Sequence, residues 1–324
     1  MNDSSLKKPA LPVKYRQISW LGSSAFCLYS YVWFFLFGYL AYLVAQSQLI
    51  LSAKIVLVTL LVFMSGNGLH LLGWAAHEGA HFVLVADKRT NLLLGSFLGA
   101  ALFFPTIGFG LSHWAHHRFT NSAKDPDTAI HTKYQTFWKR LLFARVHANR
   151  QYFKNMFSLY REGELNPDFI TPFSKRELRK LANINVAFMA LWALAYIAAA
   201  IINPQFALFA MILPLLTVAP TSGLRLYIEH TATGQGVFKD SRTYSSPFFS
   251  VLLFGNNYHL EHHLYPTAPC YRLPQIHHFL KSNGYLEECG DTVVRGFIPA
   301  LKYTNSNHAY PTGQQAMSSA GGQL

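Results

Sequence analysis

Fifteen histidines occur in this 324-residue chain, and eight of them fall into three clusters: His77-Glu-Gly-Ala-His81, His113-Trp-Ala-His116-His117 and His259-Leu-Glu-His262-His263. On a helix, positions i, i+3 and i+4 share one face, so each cluster aims its imidazoles in a single direction. Imidazole suits iron and copper as well as zinc, and eight ligands exceed what one tetrahedral zinc takes. The pattern predicts two metal ions held between converging prongs by neutral ligands, which leave the metals' positive charge intact. His70, His131, His147, His277, His278 and His308 stand outside the clusters and read as ordinary core or surface groups.

A ninth candidate ligand is His230. It ends the run Arg225-Leu-Tyr-Ile-Glu229-His230, where an apolar stretch leaves the membrane on the side occupied by the clusters. Metal-bound imidazoles usually give their other N–H to a carboxylate or carbonyl, which makes Glu78, Glu229, Glu261, Asp125 and Asp127 candidates to orient the ligands. Trp74 and Trp114 flank the clusters and read as interfacial or core aromatics.

Competing chemistry has a sequence basis. His77-Glu78-Gly79-Ala80-His81 matches H-E-x-x-H, in which two helical histidines bind zinc and the glutamate activates water, so a membrane-embedded zinc protease is a remote alternative. That reading leaves both HxxHH clusters unexplained. A four-helix di-iron carboxylate bundle would need glutamate ligands and two E-x-x-H repeats, and only Glu78-x-x-His81 lies on a plausible bundle helix.

The elements that position these residues must be membrane helices. Hydrophobic residues make up 51% of the chain and charged residues 13%, against about 25% charged in soluble domains. The formal net charge of +12 suits anionic headgroups or an acidic redox partner, and no nucleic-acid-binding motif accompanies it. Cys27, Cys270 and Cys289 form no CxxC or even-numbered framework, which predicts no disulfide and an active side facing a reducing compartment. The first apolar run, residues 25–45, is too long for a cleavable signal and has no small-residue cleavage site, so it is expected to remain as an anchor.

Four stretches are long and apolar enough to cross a bilayer, about 24–45, 51–72, 185–202 and 205–226. A fifth, 92–111, is interrupted by Gly95, Gly99, Pro105, Gly108 and Gly110 and reads as a re-entrant or interfacial hairpin. Pro214 and Pro220 should kink the fourth span without ending it. Lysine and arginine crowd the N-terminal arm and residues 113–183 but are missing from the links at 46–48 and 203–204, which predicts cytoplasmic termini. The expected fold is therefore an all-α, multi-pass integral membrane protein. Its four transmembrane helices form two hairpins, and a helical cytoplasmic cap (113–183 and 227–304) holds the clusters within a single domain, 1–304. In residues 134–160, Tyr134, Phe137, Trp138, Leu141, Leu142, Phe153, Met156, Phe157 and Tyr160 recur at helical spacing among cations, the profile of a helix lying in the interface or packed on the cap. The Ser-, Gly- and Gln-rich tail, 305–324, should be mobile.

The three boxes, together with His116-His-Arg-Phe-Thr-Asn121, Asp125-Pro-Asp127 and Asn257-Tyr-His-Leu-Glu-His-His-Leu-Tyr-Pro266, resemble the membrane fatty acid desaturase superfamily, which includes acyl desaturases, carotenoid hydroxylases and ketolases, and alkane hydroxylases. The resemblance runs from the first span to about residue 286. It implies a mushroom-like helical bundle, two Fe (2+/3+) ions under a cytoplasmic cap, and a hydrophobic tunnel for the substrate chain. By the same resemblance one iron takes His77, His81, His117 and His263, and the other His113, His116, His230, His259 and His262. Relatives carry an asparagine four residues before the ninth histidine that reaches a metal through water. Here Leu226 stands there, and Asn256 and Asn257 are the candidates to replace it.

The activity implied is that of an O2-dependent oxidoreductase acting on an unactivated C–H bond, chemistry that requires a redox metal. A fatty acyl desaturase acting on a lipid or acyl chain is the favoured reading, and a carotenoid or terpenoid hydroxylase or ketolase is the alternative. The chain shows no fused cytochrome b5 segment, and its third box begins with His259 where front-end relatives carry glutamine. Electrons are therefore expected from a separate protein of ferredoxin, rubredoxin or cytochrome b5 type.

Overall fold

The computed structural model describes residues 7–305. His308 and residues 306–324 of the expected mobile tail lie outside the described residues, as does the side chain of His131. Helices α1 (Trp20–Gln46) and α2 (Leu51–Ala80) pack along one another. The Ser19 side chain accepts the Gly22 N–H and starts α1, satisfying a donor that a helix N-terminus otherwise leaves open. With 30 residues, α2 is about ten longer than a bilayer's apolar core requires. Its first half exposes Ile55, Val56, Leu60 and Phe63, whereas residues 65–72 are all buried. The overshoot carries the first histidine cluster beyond the apolar span.

Helices α3 (Lys88–Ala100) and α4 (Thr106–Phe119) follow, and at 13 and 14 residues each is too short to cross a bilayer alone. The chain reverses between them, where Phe103 takes a left-handed φ of 54°. The glycines expected to break this stretch lie inside the two helices. A Cβ at Gly108 would stand 1.9 Å from the Tyr152 carbonyl oxygen, so glycine is needed there for close approach.

After the short α5 (Thr128–Thr132) come α6 (Phe137–Ser158) and α7 (Lys175–Ile202). A capping box between Ser174 and Glu177 starts α7. The fourth span runs through α8 (Pro204–Phe206), a π-helical turn (Ala207–Ile212) and α9 (Leu213–His230). The distortion falls just before Pro214, whose ring crowds the carbonyl four residues earlier and which donates no N–H; the π turn absorbs that mismatch. Pro220 sits inside α9 without ending it. Four helical segments, Val13–Gln46, Leu51–Ala80, Lys175–Ile202 and Pro204–His230, are long and apolar enough to cross a membrane.

Helix α6 packs on α4 and α9, exposing Trp138, Leu142 and Phe157 while burying Arg140, Tyr152, Asn155 and Met156. Met156, one of the apolar residues at helical spacing, turns inward, as a helix packed on its neighbours requires. The rest of the chain forms β1 (Thr243–Ser245), α10 (Pro247–Leu252), α11 (His259–Leu264), α12 (Leu273–Ser282), β2 (Val293–Arg295) and α13 (Phe297–Ala300). Strands β1 and β2 pair in parallel with Thr243 opposite Val293. The all-α expectation misses this pair because three-residue strands are too short to display an alternating pattern.

Candidate metal centre

Three helix ends and one short helix deliver the nine histidines. The end of α2 carries His77 and His81, α4 carries His113, His116 and His117, α9 ends on His230, and α11 carries His259, His262 and His263. All are buried except His117, which is partly exposed.

Their ring nitrogens converge. His113 Nε2 lies 2.9 Å from His77 Nε2 and 3.1 Å from His117 Nε2, which in turn lies 3.2 Å from His81 Nε2 and 3.1 Å from His262 Nε2. Ligand nitrogens of His77, His81, His113, His117 and His262 all lie within 4.8 Å of one another, and a second such group joins His116, His230 and His263. His259 adjoins the second group, with its Nε2 2.9 Å from that of His230. Nitrogens held about 2.1 Å from one metal sit roughly 3.0–3.4 Å apart, the spacing seen here. A proton shared between two imidazoles satisfies one pair at a time, whereas a cation satisfies all five lone pairs together. The donor set fits two metal ions.

This grouping differs from the division that the resemblance implies. His113 and His262 join the first set, and His263 joins the second.

Electrostatics favour ligands over cations. Burial first, then neighbouring imidazoles, holds His81, His113, His117 and His263 well below the ordinary histidine value. His262 is pushed down to about 3, chiefly by burial. His116 behaves differently: burial works against its cation, but Asp125, then Asp127 and Asp240, outweigh it and raise the ring to about 9. Asp125 Oδ1 lies 2.9 Å from His116 Nδ1, which leaves Nε2 for the centre. The Asp125 carboxylate is itself fixed by the N–H groups of Asn121 and Asp127. His263 directs Nδ1 toward Thr120 Oγ1 at 3.4 Å, and Thr120 donates to the His116 carbonyl. The Nε2 of His263 is buried with no hydrogen-bond partner among the described residues.

The carboxylates expected to orient ligands divide into two kinds. Asp125 contacts a box imidazole directly, while Asp127 Oδ2 lies 3.9 Å from His116 Nδ1 and accepts from Tyr152. Glu229 lies 3.8 Å from His259 Nδ1 and is held by Arg225. Glu78 Oε1 is 3.7 Å from His77 Nδ1, but its Oε2 accepts the Cys270 N–H at 2.8 Å. That carboxylate ties α2 to the segment after the third box. Glu261 accepts from Thr243 and from His277 Nδ1, so it anchors α11 and makes His277 part of the scaffold.

The two asparagines that could replace the residue at Leu226 direct their amide N–H groups at the backbone. Asn256 donates to the Leu253 carbonyl and Asn257 to the Tyr244 carbonyl. Leu226 itself lines a cavity of about 110 Å³ beside the centre, together with His77, His113, His116, His230 and His259. Among the remaining histidines, His70 is buried against Ser222, Trp74 and Arg225, and His147 meets Lys133 near the surface. Sequence reasoning missed Arg225, Asn121 and Asp240. Only Arg225 had a readable signal, its i,i+4 spacing to Glu229.

The sequence profile of the Fatty acid desaturase family matches residues 51–289. A curated relative, the "Fatty acid desaturase" of Bacillus subtilis (strain 168), is 24% identical over 217 residues, which cover 62% of each chain. The profile spans all three boxes and His230, and with four membrane-compatible helices around them this membrane protein belongs to the fatty acid desaturase family.

Proposed function

We propose that this chain is an O2-dependent oxidoreductase that introduces a C=C bond into an acyl chain, using two irons. His77, His81, His113, His117 and His262 would hold one, and His116, His230, His259 and His263 the other. The observation that carries this reading is the pooling of all nine histidines into two adjacent groups. Bound iron would supply the redox power toward an unactivated C–H bond that no side-chain acid or base has.

The chain's own residues do the rest. Asp125 fixes the His116 ring so that Nε2 faces the centre, and Glu229 stands behind His259. Phe104, Phe109 and Leu102 give the adjoining cavity apolar walls, which exclude water from the reacting carbon. In balance, the substrate loses two hydrogens while O2 takes them together with two electrons and two protons, leaving two waters. The extra electrons come from a separate protein of ferredoxin, rubredoxin or cytochrome b5 type, which meets the basic side of the membrane where both termini and the cap reside.

Expression in a host lacking such enzymes, with lipid and pigment profiling by mass spectrometry, tests the proposal. New unsaturated acyl chains support it. Oxygenated carotenoids in their place would establish the hydroxylase or ketolase alternative.

A further inference from the structure

Just past the second box the chain folds back at Asn121, which takes a left-handed φ of 60°. Asparagine is one of the few residues that enter this region readily. Its backbone N–H donates to Asp125 Oδ2 at 2.8 Å, and its carbonyl accepts from Gln235 Nε2 at 2.9 Å. The side-chain amide reaches the loop that follows α9. There Nδ2 lies 2.9 Å from Thr233 Oγ1, 2.7 Å from the Gly234 carbonyl oxygen and 2.9 Å from that of Asp240. An amide nitrogen carries two hydrogens, so the three acceptors share them.

Three of these partners each stand behind a different histidine. Asp125 sets its other oxygen, Oδ1, 2.9 Å from His116 Nδ1. Thr233 donates its hydroxyl to the His230 carbonyl at 2.7 Å. Asp240 places Oδ2 3.9 Å from His263 Nδ1. His116, His230 and His263 are the members of the second ligand group, and they stand on three separate helices, α4, α9 and α11. No single helical face can align them, so their approach depends on links between the loops beside them. The first group is held otherwise, its five ring nitrogens meeting one another across α2, α4 and α11. His259 is backed by Glu229.

We propose that Asn121 is a positioning residue for the second metal site, clamping together the loops behind His116, His230 and His263, so that the two metals depend unequally on this one side chain. The inference rests on the two-iron reading and deepens it. Both the backbone conformation and the amide matter. Glycine at this position keeps the left-handed turn and removes the donors. Aspartate keeps the shape of the side chain but sets a carboxylate oxygen against two carbonyl oxygens and a hydroxyl already donating to His230.

The test uses iron-loaded protein in lipid nanodiscs, dialysed against a chelator, with iron content and Mössbauer spectra read together. The unaltered chain should hold two irons. Asn121→Gly and Asn121→Asp should release one iron about 10- to 100-fold more readily, the usual effect of losing a group behind the ligands. The chain left behind should hold one iron with the spectrum of a single, uncoupled ion. Thr233→Val, which cuts only the link to His230, should act in the same direction with a smaller effect, and it keeps the test open if the Asn121 variants fail to fold. Asn203→Ala, a lost cap at the opposite end of the fourth span, should lower the melting temperature without changing the release of either iron. Parallel loss of both irons from the Asn121 and Thr233 variants would show that the amide serves only the folding of the loops and overturns the proposal. Release at the rate of the unaltered chain overturns it too. An unaltered chain that holds fewer than two irons sinks the two-iron reading and the proposal with it.

Discussion

His230 and His259 bring their Nε2 atoms within 2.9 Å although 29 residues separate them. One ends a span and the other opens the third box, so the contact joins the membrane bundle to the histidine-bearing segment. If His230 is a ligand, His230→Ala should lower bound iron from two toward one per chain and stop turnover even with excess reductant. Metal analysis of anaerobically purified protein with Mössbauer spectra reads the first effect. Two irons retained, with activity above about a tenth of the unaltered protein, a loss under about 1.4 kcal/mol, would make His230 a bystander.

Asp125 is expected to act through His116. Asp125→Asn keeps the shape of the side chain but removes the charge facing His116 Nδ1. Loss of such a carboxylate behind a ligand imidazole typically costs about 10- to 100-fold in metal affinity or activity. Iron retention during dialysis against a chelator should fall in that range, while Lys124→Gln, an exposed neighbour, leaves it unchanged. Retention equal to that of the unaltered chain would show that the aspartate serves only the turn it caps.

Glu78 separates the two metal chemistries that H-E-x-x-H permits. In this structure its carboxylate accepts a backbone N–H, a role that a glutamine oxygen can fill. Glu78→Gln should therefore keep most of the oxidase activity, losing less than about tenfold. A zinc protease would lose its base, so peptide cleavage abolished by this change, with one zinc per chain, would overturn the oxidase assignment.

How far the sequence foretold this arrangement depended on the period of each signal. The spans were legible because an unbroken run of about twenty apolar residues matches the thickness of a bilayer and exceeds what one face of a soluble helix buries. Their inner ends ran longer than hydropathy alone indicated, since α2 continues to Ala80 with polar ligands that an apolar scan discards. The boxes were legible as i, i+3, i+4 sets, and His230 from where its span ends. What was hidden depends on tertiary approach: Gly108 looked like a helix breaker because a backbone contact with Tyr152 leaves no local trace. Arg145, which no motif marks, lines the cavity for the same kind of reason.

His277 shows the same limit and gives the last prediction. It stood outside the boxes and read as an ordinary group, yet its Nδ1 meets Glu261 Oε1 at 2.5 Å, with Thr243 on the other carboxylate oxygen. Glu261 is fully buried, so removing one partner leaves part of a buried carboxylate uncompensated, at a cost of about 1–3 kcal/mol. His277→Ala should lower the thermal midpoint and loosen α11, reducing iron occupancy without altering the set of ligands, and His277→Gln should restore much of both. His147→Ala, which removes only a ring near Lys133, should be close to neutral, within about 0.5 kcal/mol. Equal melting temperatures and iron contents for the two alanine variants would mean that Glu261 anchors the third box through Thr243 alone.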